Sequence, residues 1–257
     1  DDKASNAIAD ASDARLMLVR IAERQGNLDE AIEQLGFIDD PSLIFQSQIH
    51  KAVLYGRMGK LEQARGVIDA IAPQNDQEQT VAALTLASIY RDAGRTDLAV
   101  ETLEKADKAL PDTPEIKYDL GMLYERQGKY DAFEKMMRRI IELTPDDANA
   151  YNSLGYTFVE QNTQLDEAQA LLEKALQLEP DNPYILDSVG WYFYRTGDYE
   201  SALQYLQRSF EILPEAEVAA HLGEVLWVMG RKDEAREIWK QGKQKHANNE
   251  TLLKTIE

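Results

Sequence analysis

The sequence predicts an all-α fold built from repeated helical hairpins. Three observations predict it: glycines recur at one period, small residues follow them at that same period, and bulky residues precede them at it. Gly26, Gly59, Gly94, Gly128, Gly197 and Gly230 each close one apolar-periodic stretch and precede another. Their separations are 33, 35, 34, 69 and 33 residues, and the 69 is two periods with Asn162 in the empty place. Gly and Asn tolerate the left-handed conformation that ends a helix, so each place reads as the turn of a hairpin.

The other columns keep this register. Ala31, Ala64, Ala99, Ala168, Ala202 and Ala235 fall in the second helix of each hairpin, where a small side chain lets two helix backbones approach. Phe133 takes that column in the fourth hairpin, so its packing is expected to differ. Gly121, Gly155, Gly190 and Gly223 fall in the first helix, sharing a column with Val19, Ala52 and Ala87. Tyr55, Tyr90, Tyr124, Phe158 and Phe193 form a bulky column three residues further on. Pro111, Pro145, Pro180 and Pro214 are expected to end second helices, because proline blocks further helix. Pro41 and Pro73 fall out of that register, so the first two hairpins are expected to be irregular.

These columns resemble those of the tetratricopeptide repeat family, most clearly over residues 150–182 and 184–215. The resemblance implies a right-handed superhelical solenoid of about seven hairpins, with first helices lining a concave groove. The repeats are expected near 12–44, 45–79, 80–113, 114–147, 148–182, 183–215 and 216–249, in a single solenoid over 1–257. Residues 1–11 are expected to be part of a preceding hairpin or a fraying end. Residues 250–257, with Leu252, Leu253 and Ile256 at helical spacing, are expected to form a capping helix.

Composition sets limits on function. Apolar residues make up 44% of the 257, too many for a disordered chain. Cysteine is absent, which excludes disulfides and thiolate metal sites. No run of about 18 apolar residues exists to span a membrane. Asp1 opens no signal-peptide pattern and reads as a mature-chain boundary, leaving room for a removed leader or lipid anchor. A net charge of −18 makes nucleic acid a poor partner. That charge is uneven: residues 148–215 carry 11 acids and 3 bases, whereas 216–249 carry 5 acids and 6 bases. Arg231, Lys232, Arg236 and Lys240 mark a basic end, read either as a solvated helix face or as a second contact for a partner.

Catalysis has little support. His50, His221 and His246 form no metal-spaced pair, and His221 with Glu224 three residues on supplies too few ligands for zinc. No nucleophile elbow, phosphate loop or dinucleotide fingerprint occurs. Asp187, near Tyr184 and Trp191, is a lone carboxylate. No enzyme activity, cofactor or metal is expected.

Function is expected in the groove. Its N-terminal part is aliphatic, with Leu16, Ile49, Val53 and Leu84, and calls for cover by a partner, a preceding helix or a second copy of the chain. From Tyr118 onward the columns mix aromatic rings with hydrogen-bonding groups: Asn152, Tyr156, Asp187, Trp191, Tyr194, Glu224 and Trp227. That mixture suits a protein-binding surface; alternatively, Trp191 and Trp227 pack between adjacent first helices. Some family members grip a peptide's terminal carboxylate with Lys, Asn and Arg. Here those columns hold Asn152 and Arg20 without a lysine, so a basic or neutral segment is the better fit.

A further resemblance rests on Asp187-Ser188 before Gly190-Trp191, on the run from Ala220 to Trp227, and on Trp239. These residues are similar to the C-terminal region of proteobacterial tetratricopeptide lipoproteins of the outer membrane. That family includes the binding partner of a carboxyl-terminal processing protease, which presents cell-wall hydrolases to it. The resemblance implies an adaptor on the periplasmic side of the outer membrane. A cytoplasmic or periplasmic assembly chaperone that shields a client segment is the other class kept open.

Overall fold

The computed structural model describes residues 2–245 and 249–256. His246 lies outside them. Among the described residues the chain is all helix, with fifteen α-helices and no strand. It divides into two compact units, Asp1–Met136 and Met137–Glu257, and the boundary falls within one helix.

In the first unit α1 (Asp2–Arg24) pairs with α2 (Leu28–Gly36), α3 (Pro41–Arg57) with α4 (Leu61–Asp69), and α5 (Asp76–Asp92) with α6 (Thr96–Ala109). Helix α7 (Pro114–Arg126) packs on α5 and α6. Helix α8 (Tyr130–Leu143) carries the boundary. In the second unit α9 (Ala148–Glu160) pairs with α10 (Leu165–Leu178), α11 (Pro183–Thr196) with α12 (Tyr199–Ile212), and α13 (Ala216–Val228) with α14 (Lys232–Lys245). Helix α15 (Glu250–Ile256) lies against α13 and α14. Of its expected apolar residues only Leu252 enters the core, while Ile256 stays 40% exposed. Residues 2–11 form no separate element and simply extend α1.

One residue in each turn joins two helices. The residue after each turn glycine donates its N–H to the carbonyl five residues back, closing the first helix. Asn27 bonds to Ala22, Lys60 to Tyr55, Arg95 to Tyr90, Lys129 to Tyr124, Asp198 to Phe193 and Arg231 to Leu226, all at 2.8–2.9 Å. This is the six-to-one bond of a Schellman cap, which needs a left-handed residue before the donor. The six turn glycines supply it, with φ between 71° and 90°. The same residue's carbonyl then accepts the N–H of the second-helix column, as from Ala31, Ala64, Ala99, Ala202 and Ala235.

The fifth turn departs from this rule by one residue. Asn162 takes the glycine place with φ 52°, and Thr163 closes α9 onto Phe158 at 3.0 Å. Gln164, with φ 46°, then opens α10 by accepting from Ala168. Two neighbouring left-handed side chains are a strained arrangement.

The expected prolines stand two residues past the ends of α6, α8, α10 and α12. The out-of-register Pro41 and Pro73 have a structural cause: α2 and α4 have nine residues each, against fourteen in the later second helices. Pro41 instead begins α3 behind an Asp40 cap, and Pro73 lies in the connection to α5.

The alanine column is fully buried at all six places, and Phe133 is buried in its own. Glycine in the first helices serves the same closeness. A Cβ on Gly190 would stand 2.6 Å from Leu206 Cγ and 3.2 Å from the Ala202 carbonyl oxygen, and one on Gly155 would crowd Leu172 and the Ala168 carbonyl. At Gly223 it would collide with the Trp239 indole.

Gly190→Ala is therefore expected to destabilise the protein by about 1–3 kcal/mol through overpacking, read as a lower urea midpoint at unchanged m-value. Gln164→Gly is expected to raise stability by about 0.5–1 kcal/mol by relieving the left-handed side chain, and a lowered midpoint would refute the strain at this turn.

Candidate functional site

Within the second unit the first helices α9, α11 and α13 lie side by side. Residues about one period apart therefore face each other across neighbouring helices. Trp191 on α11 is the centre of what they build. Its ring stacks on His221 of α13, with centroids 4.1 Å apart, and on Tyr194 at 4.7 Å. Its indole N–H donates to Glu160 at the end of α9. Tyr156 of α9 stands 6.4 Å from the His221 ring on a tilted plane. Tyr194 donates its hydroxyl proton to Glu224 at 2.8 Å.

Beneath this lies an ion pair. His221 Nδ1 sits 2.9 and 3.0 Å from the two Asp187 oxygens, with both residues buried. Burial works against a charged imidazole, but the Asp187 carboxylate outweighs it, helped by Glu217 and Glu160, and the His221 pKa is raised. Burial, together with the hydrogen bond to Glu224, pushes the Tyr194 hydroxyl pKa upward. Burial also raises the Glu217 pKa, against the pull of His221.

The structure thus redistributes the expected site residues. Asp187 and Trp191, read from the sequence as groove-facing, are buried and hold the three first helices together. Asn152, Tyr156, Tyr194 and Glu224 remain half-buried, and Trp227 is exposed. Tyr118 lies half-buried on α7, in the first unit. His221 pairs with Asp187, one repeat period earlier, and Glu224 turns to Tyr194. Sequence reasoning also missed Glu160 and Glu217. The usable signal was the separation itself, since 34 residues join Asp187 to His221, 31 join Glu160 to Trp191 and 30 join Tyr194 to Glu224.

Asn152 Oδ1 is buried and has no hydrogen-bond partner. Such an acceptor costs free energy until a donor reaches it. On α9, α11 and α13 the charged side chains are mostly acidic: Glu160, Asp187, Glu217 and Glu224, against His221 and Arg195, which stands 3.9 Å from Glu160. The chemistry on offer is hydrogen-bond acceptance beside aromatic rings.

In the first unit the expected aliphatic residues Leu16, Ile49, Val53 and Leu84 are half-buried. Leu16 and Ile49 line a small cleft with Leu43 and His50, and His50 reaches Glu23 at 3.2 Å. At the other end of the sequence the expected bases are partly matched by their own helix. Arg231 pairs with Glu234 and Arg236 with Asp233, while Lys240 lies 3.9 Å from Glu237. Among the described residues no group of three His, Asp or Glu could hold a metal ion, and no helix is long and apolar enough to cross a membrane.

Comparison with known proteins places these features. Three family models, each described as a tetratricopeptide repeat, match residues 90–155, 146–215 and 190–242. A TPR repeat-containing protein of Pseudomonas aeruginosa is 32% identical over 211 residues, covering 82% of this chain and 36% of that protein. The chain therefore spans about a third of the length of this curated relative. A tetratricopeptide repeat protein from Parabacteroides merdae has a similar structure, with a TM-score of 0.70 at 17% identity over 96% of this chain and 98% of that one. A thermophilic protein of Thermus thermophilus gives 0.61 at 21% identity, covering 71% and 97%. The pilF protein of Pseudomonas aeruginosa gives 0.62 at 18% identity, covering 82% and 96%. These structural likenesses concern the fold.

The buried ion pair predicts a pH dependence. His221 holds its proton more tightly in the folded chain than in the unfolded one, where its pKa is near 6.5. Its contribution to stability is full below about pH 6.5 and is lost as pH rises through the raised folded-state value. The urea midpoint of the wild type is expected to fall between neutral and alkaline pH by more than that of His221→Gln, and parallel profiles would remove the pair from this role.

Proposed function

Because the chain belongs to the tetratricopeptide repeat family, we propose that it is a protein-binding scaffold whose α9–α11–α13 face takes an extended segment of another protein. Repeats of this kind generally mediate contacts between proteins and act as scaffolds without catalysis of their own. The observation that carries the reading here is the unsatisfied Asn152 Oδ1 on α9, the helix that also bears the half-buried Tyr156 and lies beside α11 with its half-buried Tyr194. A backbone N–H from a bound segment would satisfy it while side chains of that segment rest on the rings. The acidic surroundings favour a segment that is basic or neutral.

The finer reading is an adaptor in the bacterial envelope, held at the periplasmic face of the outer membrane, that brings a carboxyl-terminal processing protease to peptidoglycan hydrolases. Its support is the sequence motif around Asp187, Trp191 and His221. In the structure that motif builds the core on which the Tyr156 and Tyr194 rings rest. The motif thus ties the resemblance to the candidate face itself.

The test uses Asn152→Ala and Tyr156→Ala. Trp191→Ala is a poor probe, because emptying that buried place would cost about 3–5 kcal/mol and confound folding with binding. Affinity capture from a bacterial envelope extract, followed by mass spectrometry, is expected to recover a processing protease together with cell-wall hydrolases. Each variant is expected to weaken that capture about tenfold, as loss of a warm contact does, with unchanged helical circular dichroism. Undiminished capture would remove the face from the reading, and recovery of cytoplasmic clients alone would remove the envelope role.

A further inference from the structure

Helix α14 separates its charges by face. Lys232, Arg236, Lys240 and Lys243 recur at intervals of four and three, so they share one stripe with Trp239. Asp233, Glu234 and Glu237 lie to one side of it. At one end of the stripe the exposed Trp227 ring is covered by Lys232 and Arg236, whose cations stand 4.8 and 5.4 Å from its centroid. Towards the other end it meets a cleft of about 360 Å³ lined by Arg236, Trp239, Lys240, Lys243, Gln244 and Ile256. The floor is apolar and the rim carries three cations. Ile256 is 40% exposed here, on a cap helix whose neighbouring Leu252 is fully in the core. Among the described residues Lys232 and Lys243 make no ion pair. The Arg236–Asp233 and Lys240–Glu237 pairs are solvent-exposed, so they exchange readily for other carboxylates.

We propose that this stripe and cleft form a docking surface, separate from the α9–α11–α13 face, for an acidic peptide segment that carries one large apolar side chain. The apolar side chain enters the cleft over Trp239 and Ile256, and carboxylates on either side meet Lys240, Lys243, Arg236 and Lys232. From Lys232 to Lys243 the stripe runs about 16 Å, the reach of roughly five extended residues. Charge identifies the occupant. The chain carries −18 overall, so acidic partners are repelled from most of its surface and attracted here. An anionic membrane is a less suitable occupant, since a broad plane of charge would also meet the acidic surroundings. A single segment is narrow enough to meet the stripe alone, within a Debye length of about 8 Å at physiological salt.

The probe is a fluorescein-labelled synthetic peptide in which a single Phe is flanked on each side by glutamates, followed by fluorescence polarisation. Saturable binding is expected, weakening as salt is added. The double variant Lys240→Glu/Lys243→Glu is expected to lose about tenfold or more in affinity, as is a peptide with Gln in place of Glu or Ser in place of Phe. All the changed residues are exposed, and circular dichroism confirms that the variant is folded. Asn152→Ala is expected to bind the probe as the wild type does, which separates this surface from the other face. Equal binding of the Gln peptide, or indifference to charge reversal, would overturn the proposal. So would phosphatidylglycerol vesicles that bind where the peptide does not, or a self-association in sedimentation that the same reversal dissolves.

Discussion

The hairpin turn is the constraint on which the rest depends. One residue closes the first helix with its N–H and opens the second with its carbonyl, so no length is available for adjustment. This fixes where the second helix starts relative to the first and brings the alanine column against the glycine or small-residue column. The close approach then requires small side chains, and Gly190 against Ala202 shows how little room remains. The fifth turn shows the same rule under tension. An extra residue divides the two duties between Thr163 and Gln164, and a second left-handed backbone position is the cost.

Because the turns hold a constant register, side chains one period apart on neighbouring first helices meet predictably. The candidate site is this principle applied to polar residues. Asp187 and His221 are placed by the same repeat that places the alanines, and they form a buried ion pair. Removing one partner of such a pair leaves an uncompensated charge in the core. Trp191, lying between His221 and Tyr194, ties that charge to the aromatic surface above. The face offered to a partner and the core beneath it are thus one connected construction.

The fold was legible because its determinants are local and repeated. Gly26 through Gly230 announced the turns, and Asn162 in the missing place was readable because only a few residue types tolerate that conformation. The irregularity of Pro41 and Pro73 was visible in the sequence, but its cause, the shortness of α2 and α4, needed the structure. The site was legible in composition more than in geometry. The columns named Tyr156, Trp191, Tyr194 and Glu224 together, and these residues do gather in the second unit. Whether a ring faces outward or lies flat on its neighbour depends on side-chain rotation, which periodicity does not encode. For that reason the columns left Trp191 open between the groove and the seam of adjacent first helices, and it packs in the seam. The pair of His221 with Asp187 went unread, although one added period would have found it.

The nine-residue second helices of the first two hairpins carry a consequence for where the molecule opens. A hairpin in such an array is held by its own two helices and by its immediate neighbours. Helices α2 and α4 offer about two and a half turns each, and α1 leaves Met17, Leu18 and Ile21 exposed. Each gives its hairpin a shorter second arm than the fourteen-residue helices do. Opening a hairpin with a nine-residue second helix is therefore expected to cost less than opening α5–α6. Such an array can loosen at its short-armed hairpins while its long-armed ones stay closed.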